Sequence, residues 1–411
     1  MVLGKLAELQ ERVTESQVSR IEAIMEANEN NDLDVVIGNL SLSKNNLAAS
    51  LGVSRTKIDS AIEQLTKDGI EEFQDIAKVG LRFALTPWHC HMISDKLGIK
   101  TWNDVHPEKE IIAISNLKGG TGKSTVTVSL ASALANDLIE RKRVIIIDLD
   151  PQGSDKAFSQ PDMEKSFDIL TAVDLMLADY EKEARNNAYW DFVDEVGGHS
   201  EVVKASCHPT QYPNLDILPA FPSDERFNDF AVTQFPENRM LATSLLYEKV
   251  IKHIIDDYDV VIIDTSPSMN PLVWSALEAA NGLIIPLTPR KLDWMATGSY
   301  LVSLVSYLEQ LPSGGKNLDW FKVLLTNVEE EHGRDAAMVA EIQNAVGAQD
   351  MFFKTIVRSS AFEAAARNYR TVLDIRPKDG LVSSNQLNSA KASLNSVTRE
   401  LVAYLKALRS K

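Results

Sequence analysis

The sequence predicts an α/β protein, a doubly wound and mainly parallel sheet, preceded by a helical, winged helix-turn-helix domain. Three observations carry this. From residue 110 onward, short apolar runs of strand length alternate with helical stretches: Ile111–Ile114, Val144–Ile147, Leu215–Pro219, Val260–Ile263, then LIIPL and VLL. That order builds a buried parallel sheet with helices on its faces. A glycine-rich turn, Gly119-Gly120-Thr121-Gly122, follows the first run and opens the helical stretch VTVSLASALANDLIE. Further upstream, two helical segments meet at Gly52-Val53-Ser54, a breaker followed by a good N-cap.

The chain of 411 residues exceeds what one small core needs. We divide it into an N-terminal helix over 1–40 (a candidate dimerisation arm), a helix-turn-helix domain over 41–107 and a nucleotide-binding domain over 108–411. The polar, Pro-containing linker DVHPEK marks the last boundary. Two distant cysteines, Cys90 and Cys207, make no disulfide framework, and neither a secretory segment nor a membrane-length apolar run is visible. A cytoplasmic protein is expected. The formal net charge is −16, yet residues 352–411 hold eleven Lys/Arg against four Asp/Glu. A basic end on an acidic body can focus on a polyanion.

Strand, glycine loop and helix in that order form a phosphate-binding turn. Glycines let successive N–H groups converge on an anion, and the helix N-terminus adds its positive dipole end. Lys123 supplies a point charge for the β- and γ-phosphates, and Ser124 is placed to ligate Mg²⁺. The usual first glycine is replaced by Leu117, and an extra lysine, Lys118, opens the loop. Two later strands end on carboxylates. Val144–Ile147 runs into Asp148 and Asp150, and Val260–Ile263 into Asp264, the Walker B arrangement in which a carboxylate holds the water network of Mg²⁺.

The loop KGGTGKST resembles the deviant Walker A motif of the ParA/MinD family of ATPases. The resemblance implies ATP and Mg²⁺ as ligands, with Lys118, Gly119, Gly120, Thr121, Gly122, Lys123, Ser124 and Thr125 around the phosphates. It implies that Lys118 reaches across a dimer to the partner's nucleotide. The element DLDPQG resembles the family's D-x-D-P-Q-G. By that resemblance Asp150 orients and deprotonates the attacking water, and Asp148 supports the Mg²⁺ hydration shell. TSPS after Asp264 resembles the family's switch turn. Asn327, at a strand end, matches an asparagine that commonly contacts adenine. The closing region from Met351 to Pro377 resembles the segment whose basic residues bind DNA without sequence preference, which nominates Lys354, Arg358, Arg367 and Arg370.

The remaining segments are read from their patterns. Residues 1 to about 30 form an amphipathic helix, and Asn28–Asp34 a polar loop. In the helix-turn-helix, Leu47, Ala48 and Leu51 line the first helix and Ile58, Ile62 and Leu65 the second. Ser54, Arg55, Thr56 and Lys57 are then exposed for phosphates and base edges. A purely structural helical unit is the alternative. VGLRFALTP supplies the hairpin wing. The cluster His89-Cys90-His91 lacks metal-site spacing and reads as packing. ENRMLATSLLYEKVIKHIIDDY reads as one long helix. The final helix, with Leu394, Val397, Leu401, Leu405 and Leu408 on one face, either docks on the core or lies on a membrane surface.

The combination resembles the longer subclass of ParA-type partition ATPases, which also repress their own operon. It implies an ATP-bound homodimer, open to further polymerisation, that coats DNA in the nucleoid and is stimulated to hydrolyse by a ParB-type centromere-binding partner. Stable membrane association is not expected. A MinD-like membrane ATPase and a nucleotide-regulated repressor stay as alternatives.

Overall fold

The computed structural model describes residues 32–71, 73, 85–153, 169–181, 188–329 and 333–409. Residues 1–31 of the expected N-terminal helix and most of the expected wing therefore lie outside the described residues.

Seven strands form one sheet: β1 (Glu110–Ile114), β2 (Val144–Leu149), β3 (His208–Pro209), β4 (Leu215–Leu218), β5 (Val260–Thr265), β6 (Gly282–Leu287) and β7 (Trp320–Leu325). Their order is β3-β4-β2-β5-β1-β6-β7. All neighbouring pairs are parallel except β3–β4, where a two-residue edge strand that the sequence pattern does not signal runs antiparallel. Every residue of β1, β2, β5 and β6 is buried, which explains why they read as continuous apolar runs rather than alternating ones.

Alternate side chains feed two cores. Ile111, Ala113, Ile145, Ile147, Val261 and Ile263 face one side, against helix α6 (Pro271–Ala279) and part of α7 (Lys291–Gln310). Ile112, Ile114, Val144, Ile146, Val260 and Ile262 face the other, against α5 (Lys123–Ala135), α8 (Ser360–Arg367) and α9 (Ser384–Arg409). Leu394, Val397, Leu401 and Leu405 of α9 are fully buried there. The face that a membrane-surface helix would insert is thus already packed on the sheet, and Arg409 near its end bonds Glu110 at 2.7 Å. The core-docked alternative is the correct one, and among the described residues no helix is long and apolar enough to cross a membrane.

The N-terminal unit has its own core. Helices α2 (Lys44–Leu51) and α3 (Arg55–Lys67) pack through Leu47, Ala48, Ile58, Ile62 and Leu65 against Phe73, Leu85 and α4 (Pro87–Lys96). Gly52 closes α2 at φ 64°, a left-handed backbone that a residue with a Cβ would resist, and Ser54 caps α3 by accepting from Lys57 N. Helix α1 (Asp32–Leu40) occupies part of the expected loop; Val36 and Leu40 bury against the sheet core that holds α5, α8 and α9. In the H-C-H cluster, His89 completes a capping box with Thr86 and Cys90 is buried, its thiol pushed up to about 12 by burial. No metal-binding cluster forms among the described residues.

The expected long helix after Glu237 is instead a 3₁₀ segment (Arg239–Ser244), a π turn (Tyr247–Ile251) and a short α turn (Lys252–Ile254). The buried Thr243 hydroxyl donates to Met240 O at 2.6 Å, a local bond that competes with a regular ladder.

Gly282 pairs with Trp320 across β6–β7. A Cβ built on it would stand 2.3 Å from Trp320 Cζ2. Gly282→Ala is expected to lower unfolding stability by about 1–3 kcal/mol through overpacking, read as an earlier urea midpoint with unchanged slope.

Candidate nucleotide site

The site is assembled by register. Ile114, the last residue of β1, stands level with Asp264 of β5, and Asp264 stands level with Asp148 of β2. The loop leaving β1 and the two strand-end carboxylates therefore converge where the parallel strands end.

The loop itself is held from three sides. Thr265 Oγ1 donates to Ile114 O at 2.8 Å, and Thr326 Oγ1 to Thr121 O at 2.7 Å. Asn116, almost fully buried, donates from Nδ2 to Pro286 O (2.8 Å) and Thr297 Oγ1 (3.1 Å), while its Oδ1 accepts from Lys118 N at 3.1 Å. Gly120 and Gly122 adopt φ of 78° and 83°, so the turn needs glycine at both positions. Gly122 then caps α5, whose first residue is Lys123.

On α5, Ser124 and Thr127 lie one turn apart and share one acceptor. Ser124 Oγ donates to Asp264 Oδ2 at 2.6 Å and Thr127 Oγ1 to Oδ1 at 2.9 Å. Burial raises the Asp264 carboxyl to about 6, against the hydroxyls and Lys123, which favour its charge. Burial lowers the Lys123 ammonium, with Asp264 and then Asp150 pulling it back up. Asp150 follows β2 in a tight turn: its carboxylate accepts from Gln152 N at 3.1 Å and its carbonyl from Gly153 N at 2.7 Å. Asp148 Oδ1 accepts from Asp150 N at 2.9 Å, so the buried Asp148 fixes the attitude of Asp150. Hydroxyl and carboxylate oxygens beside a helix N-terminus suit an anion bridged by a hard cation.

Lys118, Gly119 and Gly120 are exposed, as are Leu117 and Thr125. Lys118 Nζ lies 3.9 Å from Asp293 Oδ1 in the first turn of α7. Asn327 follows Thr326 at φ 52° and is part-buried. A cavity of about 120 Å³ opens beside the loop, between Ser124 and Thr125 of α5 and Phe362, Arg370, Thr371 and Val372 of the α8 region.

The DNA candidates separate. Lys354, Arg358 and Arg367 are exposed, and Arg358 pairs with Glu329. Arg370 is buried and bonds Asp379 Oδ2 at 3.2 Å. It therefore leaves the surface set, because the turn after α8 points it inward. Ser54, Arg55, Thr56 and Lys57 are all exposed at the start of α3.

Sequence reasoning missed Asn116, Thr127 and Thr326. Thr127 had a signal, a hydroxyl at i+3 from Ser124 on one helix face; the other two depend on partners more than 150 residues away.

Asp264 yields a pH prediction. Its folded pKa lies above that of the unfolded chain, so the native state binds more protons between about pH 4 and 6 and loses stability as pH rises through that window. Asp264→Asn removes this cost. In metal-free protein the wild type is therefore expected to lose stability relative to the variant as pH rises from about 4 to 6, whatever the offset between the two at low pH, by paired thermal melts. Mg-ATP should raise the wild-type melting temperature and leave the variant's nearly unmoved.

Residues 109–311 match a family model described as an AAA domain. Plasmid partition protein A of Escherichia coli is 24% identical over 369 residues, covering 87% of each chain. A putative replication protein A of Sinorhizobium fredii is 28% identical over 305 residues, 72% of this chain and 68% of that one. Protein SopA of Escherichia coli K12 is 26% identical over 262 residues, 62% of this chain and 60% of its own. Among solved structures, a partition protein superposes with a TM-score of 0.64 at 20% identity, covering 97% of this chain and 98% of that chain, so the two share a fold along nearly their whole lengths. With the glycine loop opened by Lys118, these matches support the identification of the chain with the ParA-type partition ATPases.

Proposed function

We propose that the chain is an ATP-dependent DNA partition protein whose ATP-bound dimer binds DNA without sequence preference and whose N-terminal head reads an operator. The observation that carries this reading is the contrast between two lysines of one loop. Lys123 is 7% exposed and sits in the field of Asp264 and Asp150. Lys118 has a side chain 44% exposed on the outer lip. A buried lysine serves the phosphates of its own site; one on the lip is suited to phosphates presented by a second copy.

The donor set fits Mg-ATP. The amides from Gly119 to Thr125 would cradle the phosphates, with Lys123 on the β- and γ-groups. Ser124 and Asp264 would hold Mg²⁺, with Asp148 supporting its hydration shell. Bound Mg²⁺ would neutralise charge that develops on the phosphates. Asp150 would hold the attacking water and accept its proton. Asn327 would face the adenine, and the cavity between α5 and α8 would take the nucleoside half.

Lys354, Arg358 and Arg367 would contact DNA phosphates, an affinity that falls steeply with salt and carries little sequence information. Ser54–Lys57 would read base edges for autorepression. A ParB-type partner would stimulate hydrolysis and release the homodimer, which would also be able to extend into a filament on the nucleoid.

Two substitutions separate the lysines. Lys123→Gln is expected to abolish Mg-ATP binding, measured by calorimetry. Lys118→Gln is expected to keep Mg-ATP binding within about threefold yet lose at least about tenfold in ATP-dependent affinity for arbitrary duplex, measured by fluorescence anisotropy. Unchanged ATP-dependent DNA binding in both variants contradicts the reading.

A further inference from the structure

The N-terminal head meets the sheet-bearing body at two places: Arg141, which bonds His91 O, Asp95 and Ile99 O, and one short segment, Arg370–Asp379, which alone of the two also reaches the cavity beside the phosphate loop. Its beginning walls the cavity beside the phosphate loop, through Arg370, Thr371 and Val372 facing Ser124 and Thr125. Its end grips the last turn of α1. The Arg376 guanidinium donates from Nε and Nη2 to Asn39 O, at 2.9 and 2.6 Å, and from Nη2 to Ser41 O at 3.0 Å. A cation on the carbonyls at a helix C-terminus is favourably placed.

Between these ends the segment is braced internally. The Asp379 carboxylate accepts from Arg370 Nη1 (3.2 Å), Arg376 N (3.0 Å) and Asn39 Nδ2 (2.7 Å). Asp374, fully buried, accepts from Tyr212 Oη at 3.1 Å and from Thr371 N at 3.3 Å, and its carbonyl accepts from Asn39 Nδ2 at 2.9 Å. A satisfied buried network of this kind rigidifies the segment that carries it. On the far side, the chain passes directly into the helix-turn-helix. Leu42 exchanges backbone bonds with Leu85, and Ser43 caps α2 through Asn46 N. Two residues therefore separate the carbonyls gripped by Arg376 from the first helix of the DNA-reading head.

We propose that Arg370–Asp379 is a relay that couples occupancy of the nucleotide cavity to the setting of the helix-turn-helix, with Arg376 and Asn39 as its positioning residues. The inference rests on the nucleotide reading above. A nucleoside entering the cavity pushes on Thr371 and Val372; the braced segment passes the displacement to Asn39 and Ser41, and so to Ser43 and α2. Because binding free energies are reciprocal, DNA held by the head alters nucleotide affinity by the same factor.

Hydrogen exchange of the full chain tests this, with Mg-ADP as the ligand and a fluorescent ADP derivative reporting its binding separately. In wild type, exchange over Lys44–Lys67 is expected to change about fivefold or more between free and Mg-ADP-bound protein. Arg376→Ala should keep ADP binding and lose that change, Arg376→Lys should restore part of it, and Asn39→Ala, a second cut in the same relay, should weaken it. A nucleotide-dependent change that persists undiminished in Arg376→Ala and Asn39→Ala overturns the relay, as does its absence in a wild type that binds ADP. A wild type that fails to bind ADP overturns the nucleotide reading itself, and the relay with it.

Discussion

The buried carboxylate of Asp264 is the constraint on which the site depends. It sits at the centre of the sheet, level with the ends of β1 and β2, and takes hydroxyl donors from two successive turns of α5. Those bonds fix the first helical turn after the phosphate loop, and with it the direction in which Lys123 and Ser124 point. The same burial that raises its pKa makes the free site strained in the electrostatic sense, because a charge in a dry place waits for a counter-charge. In the proposed reading a hard cation carrying phosphates would supply further counter-charge beside that of Lys123, so loading would favour the arrangement.

Much of the architecture was legible because parallel strands buried on both faces leave uninterrupted apolar runs. The runs at Ile111, Val144, Val260 and after Asn281 each became a strand within a residue or two of the expected bounds. What was not legible lacked such a run. The edge strand His208–Pro209 is too short to carry a pattern. The segment after Glu237 has helical spacing, but buried Thr243 and its neighbours break the ladder into 3₁₀ and π turns. Helix α1 begins inside the polar run Asn28–Asp34 that reads as a loop, and Val36 and Leu40 mark its buried side.

The site divides the same way. Residues adjacent in sequence, from Lys118 to Thr125 and from Asp148 to Asp150, could be nominated from the glycine loop, the strand-end carboxylates and the motifs they resemble. Asn116 and Thr326 could not, since they act by tying the loop to β6, α7 and β7. Arg370 looked like its basic neighbours, yet its turn points it at Asp379 instead of solvent. The apolar face of α9 fitted either a core or a membrane until its partners were visible, and the partners are the sheet and α5.

These elements place the candidate nucleotide site among packed strands and helices and leave the residues proposed to meet partners on the outside. Lys118 on the loop lip, the exposed cations Lys354, Arg358 and Arg367, and the start of α3 all lie outside the packed core. The most direct test of the account is a salt-titrated measurement of binding to arbitrary duplex DNA with no nucleotide, with Mg-ADP and with Mg-ATP. The account predicts binding chiefly with Mg-ATP, weakening steeply and linearly in log affinity against log salt. Equal binding in all three nucleotide states, or binding indifferent to salt, would contradict it.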